Sequence, residues 1–497
     1  MILIDINTKD YENDVRVMTQ AFYPDEKIVT RIAGEPEITD APELHTIVNA
    51  TDRKVRGDVA GQIFEFEENT DDRKIIRNHI KRELYNIYSK ITGKKLPWGT
   101  LTGIRPVKIP LGLIEAGCED EDIISHLQTE YLADRKKAEL GLRVAKNEHE
   151  LLSELDYNNG YSLYIGIPFC PTTCLYCSFT SYPIGMWKDR VDTYLDALLK
   201  ELGYLSELLK DKKPDSIYIG GGTPTTLLPH QFDRLFSFLE KNFDYSSLRE
   251  FTVEAGRPDS IDRDKLQMIK SHGIDRISIN PQTMNQKTLD LIGRRHSAEQ
   301  IYEAFYLARE CGFDKINMDL IVGLPGENME DVRYTLEEIM KLSPDNLTVH
   351  SLAIKRAARL NYMREAYNDY RIENTDEIIA MTEDYAYRMG MEPYYLYRQK
   401  NMAGNYENVG YAKKGKKGVY NILIMEEKQS IFAAGAGAQS KIVFPSENRV
   451  ERIENVKDVS NYIERVDEMI GRKRRFFDEN KILSKCGAGN IVVGFER

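Results

Sequence analysis

Between residues 162 and 353 the chain alternates short apolar runs with longer amphipathic ones, and this rhythm restricts the fold more than any other feature. The short runs are SLYIGIP, DSIYIGGG, REFTVEAG, DRISINPQ, KINMDLIVGLP and NLTVHSLA. Helical periodicity fills the intervals, over 188–210, 229–242, 262–272, 297–311 and 329–342. Near-continuous apolar strands separated by helices predict a parallel sheet covered by helices. All of these runs but NLTVHSLA end in Gly, Pro or polar residues, at the strand end where barrel-type α/β proteins build their sites. Six repeats fall short of a closed eight-fold barrel. The expectation is an α/β fold, a partial (β/α)6 barrel open on one side.

The flanks follow other patterns. Residues 1–156 read as a separate α+β domain, in which MILIDI is a strand. TIVNATDRKVRGDVAGQIFEFEEN is a hairpin turning near Arg56–Gly57, and helices cover 72–92 and 133–156. PWGTLTGIRPVKIP, with Arg105 and Lys108, is either an anion-binding turn or a docking turn between helices. The barrel is assigned to 157–373. Residues 374–497 form a third, α+β domain with a helix over 376–389. Hairpin strands are expected in GVYNILIMEE and QSIFAAGAGAQSKIVF, around a Gly-rich turn, and a charged helix over 457–475 follows. GRKRRFF is expected to mark a helix end. There are no internal repeats and no low-complexity tracts.

At 497 residues the chain exceeds what one core usually supports, consistent with several domains. A net charge of −11 argues against nucleic acid as a partner. No apolar run reaches the length of a membrane span, and MILIDINTKDYEND lacks the basic and apolar regions of a signal peptide. A cytoplasmic location is expected, where thiols stay reduced.

Three of the six cysteines, Cys170, Cys174 and Cys177, crowd into the loop after the first barrel strand with spacing C-x3-C-x2-C. Cys118, Cys311 and Cys486 are isolated and expected to be small buried apolar residues. An odd count in a reducing compartment does not form a disulfide framework. Structural zinc uses four protein ligands, usually as two separated pairs, and there is no second cysteine pair. Three thiolates with a fourth position open favour an iron–sulfur cubane over zinc.

With aromatic Tyr176 just before its last cysteine, the loop resembles that of the radical S-adenosylmethionine (SAM) family. The ordered motifs YIGIPFC, GGGTPT, VEAGRP, PQT, GRR and DLIVGLPGE resemble the oxygen-independent coproporphyrinogen III oxidases, the HemN type. The N-terminal domain with LTGIRP, together with LAIKRAARL and YRQKNMAGNYENVGYA, is similar to the HemZ-type coproporphyrinogen dehydrogenases. The resemblance implies a [4Fe-4S] cluster on Cys170, Cys174 and Cys177, with SAM chelating the open iron. It implies SAM contacts at Tyr164, Tyr176, Gly221, Gly222, Thr223, Glu254, Gln282, Arg294 and Asp319, and through the backbone of Ala353. A buried Asp319 between Met318 and Leu320 demands a partner, either a group of SAM or an internal Arg.

The implied reaction is oxidative decarboxylation of two porphyrinogen propionates to vinyl groups. It requires an electron donor for the cluster and an electron acceptor. Propionates call for cationic anchors, and Lys355, Arg356, Arg359, Arg398 and Lys400 are the candidates. Two positions depart from the HemN pattern: Gly166 stands where a histidine is usual, and Phe179 where a further cysteine is. Two other readings share the scaffold, a haem chaperone of the HemW type and another SAM-dependent tetrapyrrole enzyme. All eight histidines precede residue 351, so the C-terminal domain has none to ligate haem iron.

Overall fold

The computed structural model describes residues 1–36, 42–103, 105–156, 159–353, 360, 372–399 and 406–480. It forms two compact units. The first comprises Met1–Leu152, Ser351–Ile354 and Pro393–Gly410, and the second Ser153–His350, Lys355–Glu392 and Tyr411–Arg497.

In the first unit a five-stranded sheet runs in the order Ile28–Ile32, Ile2–Ile6, Leu44–Thr51, Lys54–Val59, Gln62–Glu67. The first three strands are parallel and the last three an antiparallel meander. The expected single turn at Arg56–Gly57 is instead the middle of a strand. The chain reverses at Asp52 and at Ala60–Gly61, all with positive φ. Gly57 is bare because the Phe64 ring crosses it, 2.2 Å from where a Cβ would stand. Helix Arg73–Thr92 begins at Asp72, whose carboxylate accepts the Lys74 N–H, and ends at left-handed Gly93. It covers the sheet with Ile80, Leu84 and Tyr88. The late segment Pro393–Gly410 is tied in through Glu407, which accepts from Trp98 Nε1 (2.7 Å) and Lys137 Nζ (2.5 Å).

The second unit contains the six predicted barrel strands, all but the last residue of the sixth: β1 (Gly160–Ile167), β2 (Lys213–Gly221), β3 (Glu250–Gly256), β4 (Arg276–Ile279), β5 (Lys315–Val322) and β6 (Asn346–Ser351). They lie side by side in chain order, and the registers from β1 to β5 are parallel. Helices Val191–Leu208, Pro229–Asn242, Arg263–Ser271, Ala298–Glu310 and Met329–Leu342 connect them. Asp262, Ser297 and Asn328 cap three of these helices with side-chain oxygens. Ile165, Ile167, Ile217, Ile219, Val253 and Ile277 are fully buried, each contributing about 1.5–3 kcal/mol.

At the β1 edge the sheet continues through β7 (Ile431–Ala434), β8 (Gln439–Phe444) and β9 (Arg449–Glu454). β7 is parallel to β1, and β8 and β9 follow antiparallel. The hairpin in QSIFAAGAGAQSKIVF is present, but GVYNILIMEE is not a strand. Val419–Glu426 is a helix, with Val419, Tyr420, Ile422 and Leu423 buried along one face. Its N-terminus is anchored by Glu250, which accepts from the N–H groups of Val419 (2.8 Å) and Tyr420 (3.3 Å). A carboxylate there complements both the unpaired donors and the helix dipole.

GRKRRFF does not end a helix either; it lies inside Val466–Asn480. The helix continues because Lys473, a charge with 1% of its side chain exposed, reaches fully buried Glu201 at 2.6 Å. Tyr462 and Asn455 also donate to Glu201, as does the Gly435 N–H. Removing one partner of such a buried pair leaves the other charge stranded, at a cost of about 3–5 kcal/mol. Glu201→Ala is therefore expected to lower Tm by about 6–10 °C. The double replacement Glu201→Leu with Lys473→Met should recover only the part due to the stranded charge, because the Gly435 N–H and Tyr462 OH still lose their acceptor, and differential scanning calorimetry on the three proteins checks it.

Candidate functional site

Register builds the site. Pairing of β1 with β2 sets Tyr164 opposite Tyr218 and Ile167 opposite Gly221. The chain ends of the two strands then interlock through backbone: Gly222 N–H donates to the Ile167 carbonyl (2.8 Å) and Thr223 N–H to that of Phe169 (2.7 Å). A Cβ on Gly222 would stand 2.5 Å from Phe169 O and 2.9 Å from Ile167 O, so only glycine fits. Gly221 takes φ +104°. Thr223 Oγ1 lies 3.5 Å from Cys170 Sγ. The glycine triplet is thus locked directly against the cysteine loop.

The loop itself is short and braced. Phe169–Cys170 pairs with Tyr182–Pro183, and Leu175 N–H donates to Ile292 O at 2.9 Å. Cys174 is buried and Cys170 and Cys177 are half-buried. Burial pushes the Cys170 thiol up to about 11. Among the described residues no three His, Cys, Asp or Glu side chains form a site for a single metal ion. A cubane takes one thiolate per iron and does not ask three sulfurs to meet at one point.

Four polar groups come from β3, β5 and the segment after β4, and of these Arg294 reaches the loop itself. Arg294 donates from Nη1 to Tyr176 OH (3.0 Å) and from Nη2 to the carbonyls of Asn280 (2.5 Å) and Gly256 (3.2 Å). Gln282 has φ +69°, held by bonds from its N–H to Asp319 O and from Ile321 N–H to its own carbonyl. Glu254 accepts a short bond from Tyr218 OH and a 3.2 Å bond from Asn280 Nδ2. Asp319 finds neither an Arg nor isolation: Asn317 Nδ2 donates to it at 2.8 Å and His350 Nε2 lies 3.6 Å away.

The two carboxylates diverge in acidity. Burial, reinforced by the charge of Asp319, raises Glu254 to about 7. Burial pushes Asp319 up as well, but its bonds to His350, Asn317 and Thr348 carry it net below the usual range. Tyr164, Tyr218 and Tyr420 stack beside them, with Tyr218 and Tyr420 centroids 4.4 Å apart.

Cys170, Cys174, Cys177, Tyr164, Tyr176, Gly221, Gly222, Thr223, Glu254, Gln282, Arg294 and Asp319 all fall in the second unit, on adjoining strand ends or the loop. Ala353 and Arg398 fall in the first. There Arg398 is 4% exposed and donates to the Leu101 carbonyl. Lys355, Arg356, Arg359 and Lys400 lie outside the described residues. Gly166, the departure from the HemN pattern, has its carbonyl bonded by Tyr194 OH at 2.6 Å. The Ala434 carbonyl lies 3.4 Å from where a Cβ at Gly166 would be. Sequence reasoning missed Tyr218, Asn280, Asn317, His350 and Tyr420. Period-two alternation along the strands marks Tyr218 and Asn317 as facing the same way as Gly222 and Asp319, two of the predicted site residues. Tyr420 had no signal once its segment was read as a strand.

The residues fit SAM beside a cluster on chemical grounds. Gln282 Oε1, Arg294 Nε and Asn280 Oδ1 are buried without a hydrogen-bond partner, an expensive state for polar atoms. An ammonium, a carboxylate and ribose hydroxyls are the complementary groups, and the glycine strand end gives them open backbone.

The comparisons agree with this geometry. Residues 164–339 match the Radical SAM superfamily. The chain is 40% identical over 413 residues to the oxygen-independent coproporphyrinogen-III oxidase-like protein HemZ of Bacillus subtilis, covering 82% of each. It is 32% identical over 311 residues to the heme chaperone HemW of the same organism, covering 62% of this chain and 76% of that one. Coproporphyrinogen III oxidase (HemN) of Escherichia coli, a solved structure, shares the fold with TM-score 0.51 and 24% identity, over 65% of this chain and 72% of that one. The cofactors are accordingly a [4Fe-4S] cluster and SAM.

The glycines give a paired test. Gly222→Ala should leave less than about a fifth of the iron bound after anaerobic reconstitution, because backbone cannot yield to the new methyl. Gly166→Ala, whose Cβ meets only ordinary contacts, should keep near-normal iron. Iron analysis on both variants reads the difference.

Proposed function

Because this chain belongs to the radical SAM superfamily, in the group of oxygen-independent coproporphyrinogen-III oxidase-like relatives, we propose that it oxidatively decarboxylates a porphyrinogen, converting propionates to vinyl groups. What supports the reading is the interlock of the cysteine loop with the Gly221–Thr223 strand end, ringed by buried polar atoms that lack partners. Bound together, cluster and SAM supply a 5′-deoxyadenosyl radical. The protein's part is to hold, orient and exclude water.

In this reading Cys170, Cys174 and Cys177 hold the cluster. Gly221, Gly222 and Thr223 receive the methionine end of SAM, and Tyr164 and Tyr176 flank it. Arg294 and Gln282 turn their unpartnered atoms to its carboxylate and ammonium. Glu254 and Asp319 take ribose or ammonium hydrogens, the ionised Asp319 being the stronger acceptor. Ala353 contributes backbone. Each propionate gives up carbon dioxide, one hydrogen atom and one electron, so an electron acceptor is required beside the donor that reduces the cluster. We assign the remaining carboxylates to Arg356, Arg359 and Lys400. Arg398, already bonded to Leu101 O, enters that assignment last. No helix among the described residues is long and apolar enough to cross a membrane. We place the reaction in the cytoplasm, where thiols stay reduced.

The chaperone relatives favour a second reading, in which the tetrapyrrole is carried rather than changed. One anaerobic experiment separates them: reconstituted protein with SAM, dithionite, coproporphyrinogen III and an added electron acceptor, beside a parallel sample given haem. Protoporphyrinogen with 5′-deoxyadenosine is the expected product pair. Stoichiometric haem binding without carbon dioxide release would overturn decarboxylation, and a methylated or ring-opened product would assign a different tetrapyrrole reaction.

A further inference from the structure

Two arginines grip the cysteine loop, and one of them has no place in the assignments above. Arg257 directly follows β3, after Gly256, and is 3% exposed. Its Nε and Nη2 donate to the two oxygens of Asp259, at 2.9 and 2.6 Å. The remaining Nη1 donates to Thr172 Oγ1 at 2.6 Å and to the Thr172 carbonyl at 3.3 Å. Thr172 stands midway between Cys170 and Cys174, and its hydroxyl donates onward to Gly293 O at 2.9 Å. A continuous chain of bonds therefore runs from the end of β3, through the middle of the loop, to the turn carrying Arg294.

The residue types suit this task. A buried guanidinium needs a paired charge, and Asp259 supplies it along one edge of the planar fork. That leaves one nitrogen free for the loop, an arrangement an ammonium cannot reproduce. Beside the pair, the His296 ring is wholly buried, 3.9 Å from Asp259, with neither nitrogen hydrogen-bonded. Burial and the Arg294 charge push it down to about 3, so it is neutral. Arg257, Asp259 and Arg294 together leave one net positive charge behind the loop.

We infer that Arg257 is a positioning residue for the iron–sulfur site: it fixes the loop between Cys170 and Cys174, and its charge favours the reduced cluster. The inference rests on the proposed reading that these cysteines hold the cluster. Cluster potentials respond to local charge and hydrogen bonding, which makes the role measurable without turnover.

The test uses the full chain, reconstituted anaerobically, without SAM. Cluster loss to a chelator is followed by absorbance, and midpoint potential by electron paramagnetic resonance titration. Arg257→Gln should shift the potential to more negative values and speed cluster loss about tenfold, the size of one charge-assisted hydrogen bond. Thr172→Val should speed loss by a similar factor, and Thr172→Ser, which keeps the hydroxyl, should restore it. If Arg257→Gln does not fold, the Thr172 pair carries the test. A folded Arg257→Gln with unchanged potential and loss rate would overturn the inference, as would identical behaviour of Thr172→Val and Thr172→Ser. Wild-type protein that takes up no cluster at all would instead sink the reading beneath it, before any variant is compared.

Discussion

The structure turns on a contact between two pieces of backbone. Where β1 and β2 end, Gly222 and Thr223 donate to the carbonyls of Ile167 and Phe169 across a gap that admits no side chain. Those two bonds fix the origin of the cysteine loop relative to the second strand. The rest of the site is referred to that origin. Thr223 is set beside Cys170, Gly221 is bent into a positive φ, and Tyr164 and Tyr218 are aligned one pleat below. Parallel pairing is what makes this possible, since it brings successive strand ends to the same edge of the sheet.

Around this backbone frame, charge is handled in two ways. Where a permanent pair is intended, the charges meet with their bonds complete, both buried in Glu201 with Lys473, and with only the guanidinium buried in Arg257 with Asp259. At the strand ends the opposite holds: Gln282, Asn280 and Arg294 each keep one buried polar atom without a partner. Native interiors seldom tolerate such atoms, and their concentration beside one loop separates a ligand cradle from scaffold. The divergence of Glu254 and Asp319 belongs to the same region, where shifted acidities gather at working sites.

Much of this was legible in the sequence because it follows from local rules. All six strands and five connecting helices appear where the apolar runs and helical periodicity put them, and caps at Asp262, Ser297 and Asn328 agree with that pattern. The cysteines, the glycine strand end and the strand-terminal polar residues were readable for the same reason. What failed depended on partners far along the chain. Val419–Glu426 became a helix because Glu250, on β3, satisfies its first N–H groups. GRKRRFF stayed helical because Glu201 receives Lys473. Gly57 was a packing glycine under Phe64, which composition cannot distinguish from a turn. Arg257 was invisible as a clamp because neither Asp259 nor Thr172 declares its geometry.

The pairing of β7 with β1 has a consequence in time. Ile431 lies opposite Ser162, about 270 residues away in the chain. A ribosome adding about 5–20 residues per second needs on the order of 15–50 s to cover that distance. Throughout that interval β1, the strand that leads into the cysteines, has one edge with nothing to bond. An open edge of this kind invites pairing with another chain. The order of synthesis therefore leaves this margin of the sheet open until Ile431–Ala434 is made, and prompt arrival of that strand removes the edge on which another chain could pair.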